Sequence, residues 1–302
     1  MPHGRTSTKP RPAWLLAIGT AEAAAEVNIG GRPFRLVEVL KADAFALTAR
    51  YRPTGGGGAG GGDAVVKRCR TQPAFGVPFR WLGRRLADRE RFFHARLADL
   101  PGVPRGLGEV RVDGRAEPQA FARAWVTGEP LRRDTRDGRP ADGFFDAADA
   151  LVAAVHARGI VLVDLDKADN FIVSPAGAPH LLDFQLAFAA DRRGWVPEAL
   201  AVRWLRTQQR CDRYHLLKHR IRLRPDTACG GDPAAAAAAL DALRPGWIRA
   251  WRTVWRPVIL TRRRLLVALG VRSGRGTAAT EGSTPPRPRT RRRPQTAPRP
   301  LP

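Results

Sequence analysis

The stretch from Gly159 to Phe188, GIVLVDLDKADNFIVSPAGAPHLLDFQLAF, leaves the chain few ways to fold. Two short apolar runs, Phe171-Ile172-Val173 and Leu181-Leu182, flank Ser174-Pro175-Ala176-Gly177, which predicts a β-hairpin. Polar residues crowd both runs: Asp164, Asp166, Lys167, Asp169 and Asn170 precede the first, and Asp183 follows the second. Folding the hairpin brings Asn170 and Asp183 to one end, with Asp164 on the loop that enters it. An oxygen-rich pocket of that kind suits Mg²⁺ carrying nucleotide phosphates.

A second constellation lies upstream. Phe34 to Leu40, Ala44 to Tyr51 and Asp63 to Cys69 read as three successive strands of an antiparallel sheet. Alternation in the third puts Lys67 on the face of Val65 and Cys69. A Lys on an apolar face needs an anionic partner, because an unpaired buried ammonium is costly. Trp81 to Leu100 predicts a helix whose apolar stripe runs through Leu82, Leu86, Phe93, Leu97 and Leu100, and Glu90 falls on that stripe while Asp88 falls opposite. Lys67 and Glu90 are therefore expected to meet. The alternative is a pair of snorkelling surface charges.

In this order, strand Lys, helix Glu, acidic loop and metal-binding hairpin, the chain resembles the protein-kinase-like superfamily, in particular a divergent branch of small bacterial Ser/Thr, RIO-like and lipopolysaccharide-kinase-like phosphotransferases. The resemblance spans roughly 34–225. It implies an α+β, bilobal fold: a small antiparallel sheet lobe with one helix, then a mainly helical lobe carrying the catalytic hairpin. It further implies that Asp164 is the base for an acceptor hydroxyl and that Lys167 is a cation near the transferred phosphoryl group. Lys67 and Glu90 would clamp the phosphates of ATP. Val65, Ala124 and Val126 would line the nucleotide pocket, beside Phe121 and Ala122, and Asn170 and Asp183 would hold Mg²⁺. Thr127 to Leu131 would be the hinge between lobes. The sequence departs from the family pattern at four places. Asp164 and Asn170 are six positions apart, one more than usual, which makes Asp169 a competing ligand. Leu162 replaces a His, Gln185 replaces a Gly, and Lys41 to Phe45, where a phosphate-covering loop belongs, contains no glycine. Leu162 and the glycine-free loop favour a non-catalytic kinase fold as a second reading.

The Gly55 to Gly62 run is not a P-loop, since no Lys-Ser/Thr and no helix follow it; it reads as a strand connection. Beyond the sheet, Gly108 to Val112 and Pro118 to Val126 read as strands around Asp113-Gly114. Ala141 to Arg158, Glu198 to His219 and Ala234 to Leu243 read as helices, with His156 a packed histidine and Asp212 and Lys218 weak candidates for substrate contact. Residues 20–27 read as a helical turn or two. Four segments follow: an N-terminal extension over 1–33, an N-lobe over 34–126, a C-lobe over 127–271 ending in an aromatic, basic helix pair, and a disordered Arg/Pro-rich tail over 272–302.

With 302 residues and 43% apolar content the chain has enough material for a core of two lobes. The formal charge of +24 implies affinity for polyanions, including an anionic membrane reached by the tail and the terminal helices. Arg262, Arg263 and Arg264 in the last helix suit that role. A basic nucleic-acid-binding protein is a third reading of that charge, but no finger, RNP-like or helix-turn-helix pattern accompanies it, so an obligate nucleic-acid partner is not expected. The three cysteines are far apart and form no C-x-x-C, which fits a reducing cytoplasmic compartment and signals neither zinc nor disulfides. The acceptor is either a protein Ser/Thr or a sugar or lipid hydroxyl, the latter placing the protein at the inner face of a membrane.

Overall fold

The computed structural model of the chain describes residues 16–19, 21–55, 62–73, 78–131, 139–192, 194–246 and 261. The fold is α+β, with a curled antiparallel sheet and, among the described residues, four α-helices. Strands β1 (Glu26–Ile29), β2 (Arg32–Ala42), β3 (Ala46–Pro53) and β4 (Ala64–Cys69) come first, then helix α1 (Arg80–Arg96). β5 (Val110–Val112), β6 (Arg115–Ala116) and β7 (Ala120–Ala124) complete the sheet, whose order is β6-β5-β1-β2-β3-β4-β7. Residues 105–107 bond to β7 (Leu107 N to Ala122 O at 2.9 Å, Ala124 N to Arg105 O at 2.8 Å), and the chain then runs on into β5 beside β1. One continuous stretch thus bonds to both ends of the sheet, and this curls it.

The sequence places helical turns over 20–27 and begins the sheet at Phe34; the chain instead enters the sheet with β1. Gly30 and Gly31, at φ +55° and +84°, make the two-residue turn into β2, a conformation most side chains resist. Val27 and Ile29 join Ala17 and Ile18 in the apolar core on one face of the sheet, with Leu47, Ala49, Tyr51, Val66 and Ala122. Part of what reads as an N-terminal extension is therefore core.

The other face of β4 carries Val65, Lys67 and Cys69, and α1 packs there. The helix approaches one register away from the expected stripe. Gly83, Ala87, Glu90, Phe93, His94 and Leu97 are buried, while Leu82 and Leu86 are only half-buried. The reason is contact distance: a Cβ on Gly83 would lie 2.1 Å from the Arg70 carbonyl oxygen. Gly83→Ala should therefore destabilise the protein by about 2 kcal/mol in urea unfolding, although alanine is the better helix former by about 1 kcal/mol. A neutral or stabilising result would mean that α1 does not rest on the sheet at this point.

The later described residues form a second apolar cluster around α2 (Phe144–Ala157) and α3 (Glu198–Leu223), into which Phe93 of α1 and Leu97 just after it also reach. β8 (Glu129–Pro130), β10 (Phe171–Val173) and β11 (Pro179–Leu181) make a three-stranded sheet in the order β11-β10-β8. The expected hairpin is β10–β11. The segment Thr127 to Leu131 differs from a simple break, since its Glu129 and Pro130 pair with Val173 and Ile172. β9 (Ile160–Val161) pairs with β12 (Phe188–Ala189), and α4 (Pro233–Leu243) packs on α3. Asp232 caps α4 through Ala234 N, with Pro233 at the first helical position. The expected terminal helix pair, the Arg-rich tail, and 56–61 of the glycine run lie outside the described residues. None of the described helices is long and apolar enough to cross a membrane.

Candidate active site

Strand parity and helix rotation bring Lys67 and Glu90 together. Lys67 Nζ lies 2.7 Å from Glu90 Oε1 and 3.1 Å from Asp183 Oδ1, so one ammonium joins β4, α1 and the segment that follows β11. The second Glu90 oxygen accepts the Phe184 amide at 3.2 Å. His94 Nδ1 donates to the Pro104 carbonyl at 2.7 Å, its Nε2 stands 3.6 Å from Glu90 Oε2, and its ring packs against Phe121 and Phe184. Glu90 is 1% exposed. Burial opposes its charge, yet the Lys67 ammonium and then His94 hold its carboxyl well below the usual range. Burial likewise opposes the charge on Lys67, but Glu90 and Asp183 more than offset it and raise the pKa. Asp183 moves the other way: burial dominates and pushes its carboxyl up against the opposing pull of Lys67. A carboxylate kept from full charge compensation is a place where added positive charge would be stabilising.

Arg89 of α1 donates to Gln185 O at 2.9 Å and also to Ala187 O, while Gln185 N donates to Asp183 Oδ1 at 3.0 Å. The Gln185 side chain also reaches Cys69 Sγ at 3.4 Å, and burial pushes that thiol up to about 12. Segment 183–187 is thereby tied to both α1 and β4.

The loop before the hairpin is built from α3. Asp212, 0% exposed, accepts Leu162 N at 2.9 Å, Val163 N at 3.0 Å and His156 Nε2 at 2.9 Å. Val163 has φ +68°, a strained conformation for a β-branched residue, and Asp164 follows it directly. Leu162 is a core side chain. Lys167 Nζ contacts Asp164 Oδ2 at 2.5 Å, and Asn170 Nδ2 donates to the Asp164 carbonyl at 2.9 Å. That bond fixes the Asn170 amide and leaves its oxygen free to accept. Leu182 N donates to Asn170 O at 3.1 Å, which places Asn170 beside the residue preceding Asp183. Asp169 is exposed and makes no such bond. Asp166 is anchored to α3 by Lys218 at 2.8 Å and His215 at 3.4 Å, and the bond from His215 leads the interactions that depress its carboxyl pKa.

The nucleotide-pocket residues divide. Val65 shares the Lys67 face, but Ala124 pairs with Ala64 and so lies on the opposite one, and Val126 is beyond the end of β7. The β7 residues on the Lys67 face are Phe121, opposite Lys67, and Arg123, opposite Val65. Burial lowers the Arg123 guanidinium pKa to about 10, with Glu90 and Asp183 pulling the other way. The sequence reading missed Arg123 because β7 alternates Arg123 with small residues and its register is set only by pairing with β4. It also missed His94, and Asp212 received too little weight: an Asp within a long basic helix carries no local sign of what it caps. Within Lys41 to Phe45, Lys41 and Ala42 end β2 and Asp43 to Phe45 form a tight turn into β3. Asp43 Oδ1 accepts from Phe45 N and Ala46 N at 2.8 and 2.9 Å, and Arg70 donates to Ala44 O at 2.7 Å.

A cavity of about 890 Å³ opens where the end of β4 meets the start of α1, lined by Arg68, Gln72, Trp81 and Arg84 and not by Lys67. Among the described residues no group of three or more His, Cys, Asp or Glu converges as a self-sufficient metal site. A Mg²⁺ ion that takes one carboxylate, one amide oxygen and substrate phosphates does not need one. Comparison of the chain with protein-family models and with curated proteins finds no match.

Proposed function

We propose that this chain is a bilobal, protein-kinase-like phosphotransferase that moves the γ-phosphoryl group of Mg·ATP to a hydroxyl. The observation that carries the reading is the Lys67 ammonium shared between Glu90 and Asp183, three residues drawn from separate elements. Lys67, held by Glu90, would contact the nucleotide phosphates. Asn170 and Asp183 would hold Mg²⁺, which would spread the charge of the phosphates when bound. Asp164 takes the acceptor proton as the acceptor oxygen bonds to the γ-phosphorus; the bond from that phosphorus to the β–γ bridging oxygen breaks, and ADP leaves. Lys167, beside Asp164, would face the charge that develops on the transferred group.

Asp164→Asn should lower Mg²⁺-dependent transfer from ATP at least about a hundredfold, with little change in the unfolding midpoint, because Asp164 lies outside the apolar cluster. ADP release by wild type and variant reads the result. Equal rates in the two would sink the assignment of Asp164. The glycine-free, pinned turn at Asp43 favours a second reading, nucleotide binding without turnover. In that case both proteins bind Mg·ATP and neither releases ADP.

A further inference from the structure

The cavity of about 890 Å³ gathers arginines that neither the apolar core nor the phosphotransfer reading uses. It opens where the end of β4, the start of α1 and the turn from β6 into β7 come together. Lys67, Glu90 and Asp183 do not line it; Arg68, Arg80 and Arg84 do, with Trp81, Gln72 and Glu117. Among the described residues Glu117 is the one carboxylate on that wall, and Arg68 Nη2 already donates to it at 3.2 Å. The Nε of Arg68 is buried and finds no acceptor among the described residues. Arg80 and Arg84 are exposed, and neither meets a carboxylate among the described residues. Four positions apart on α1, they are neighbours of like charge, an arrangement that costs a helix stability. Trp81, next to Arg80 and three positions before Arg84, is 61% exposed.

Three guanidinium groups against one carboxylate leave an excess of positive charge around a single concavity, and a bound anion would offset it. The planar guanidinium fork presents parallel N–H donors that match phosphate oxygens two at a time, which a lysine cannot do. The indole beside them offers a face on which a planar base can stack. The volume falls within the range of about 300–1,000 Å³ that small-molecule sites occupy. We propose that this cavity binds a nucleoside diphosphate or triphosphate, with its phosphates on Arg68, Arg80 and Arg84 and its base against Trp81, as a site separate from the one at Lys67. Arg68 belongs to β4, and Arg80 and Arg84 belong to α1. The ligand therefore bridges the strand that carries Lys67 and the helix that carries Glu90. The cavity would hold it whether or not the Lys67 site transfers phosphate.

Calorimetric titration of the full chain with ADP in excess EDTA tests the site, because chelation withholds the Mg²⁺ that a nucleotide at Asn170 and Asp183 would use. Wild type is expected to bind. Arg80→Ala with Arg84→Ala should raise Kd at least about tenfold. Trp81→Ala should raise it about fivefold or more. Pyrophosphate, which has no ring, should bind wild type more weakly than ADP and respond to the arginine pair but not to Trp81→Ala. Arg80, Trp81 and Arg84 are exposed, so the variants should melt with wild type in the absence of nucleotide. ADP should then raise the melting temperature of wild type and not that of the arginine pair. Asp183→Asn should bind ADP in EDTA as wild type does, and so should Arg203→Ala with Arg206→Ala, which removes two exposed charges elsewhere. No binding by wild type, or an equal Kd in wild type and the Arg80, Arg84 variant, overturns the proposal. Binding lost in Asp183→Asn alone assigns the nucleotide to the Lys67 site and overturns it as well. An equal loss in the Arg203, Arg206 variant would mean diffuse attraction to a basic surface. Equal affinity for pyrophosphate and ADP would overturn the choice of a nucleoside ligand.

Discussion

Replacing Lys67 by Met is expected to lower the free energy of unfolding by about 3–5 kcal/mol and to abolish transfer from ATP. Methionine fills the space of the Lys stem, so the loss is electrostatic. Glu90, 1% exposed, keeps the Phe184 amide but loses the ammonium that offsets its burial, and Asp183 loses the same partner. The pH dependence follows from the direction of the Glu90 shift. In wild type its folded pKa is depressed, so its contribution to stability is present above the unfolded pKa and is lost as pH falls through the folded value. In Lys67→Met burial prevails, the carboxyl pKa rises, and Glu90 favours the folded state only once protonated. The gap between the two proteins should thus be widest near neutral pH and narrow below about pH 4, the unperturbed Glu range. Lys67→Met combined with Glu90→Leu removes both buried charges and should recover most of the stability, with no recovery of activity. Urea unfolding across pH together with ADP release measures all of this. A Lys67→Met variant within about 1 kcal/mol of wild type at pH 7 would show that the triad does not hold the two halves of the site.

What could be read in advance was whatever depends on local period. Lys67 and Glu90 were legible because two-residue alternation and helical rotation each assign a face before any contact is known. The β10–β11 hairpin was legible because Ser174 to Gly177 can do little except turn. What escaped depends on partners distant in sequence. The α1 stripe is displaced by one position because the Arg70 carbonyl crowds Gly83, a fact absent from the apolar pattern of α1. Ala124 took the wrong face because its parity follows from pairing with Ala64. β8 exists because Glu129 and Pro130 meet β10, some forty positions on. In the candidate site, the side chains that touch one another carry visible polarity within apolar runs, whereas the residues that hold them in place look like ordinary surface.

Asp212 shows how much such a residue can control. Asp212→Asn preserves shape but replaces one accepting oxygen by a donor, so at least one of Leu162 N, Val163 N and His156 Nε2 faces another donor in a fully buried place. The expected loss is about 2–4 kcal/mol of stability, larger for Asp212→Ala, which leaves all three donors without an acceptor. The effect on activity should exceed what stability alone predicts. Val163 is kept at φ +68° against its own preference, and the bond from its amide to Asp212 is a restraint that holds it there. Released, it relaxes toward negative φ and turns Asp164 away from the position it needs. A misplacement of that kind lowers kcat by about a hundredfold. KM for ATP should change little, because Lys67, Glu90 and Asp183 make no bond to Asp212. Steady-state kinetics below the variant's unfolding midpoint separate the two effects. A proportional loss of kcat and of ATP affinity would show that α3 supports the whole site rather than the loop at Asp164, whereas Asp164→Asn should lower kcat with the fold intact.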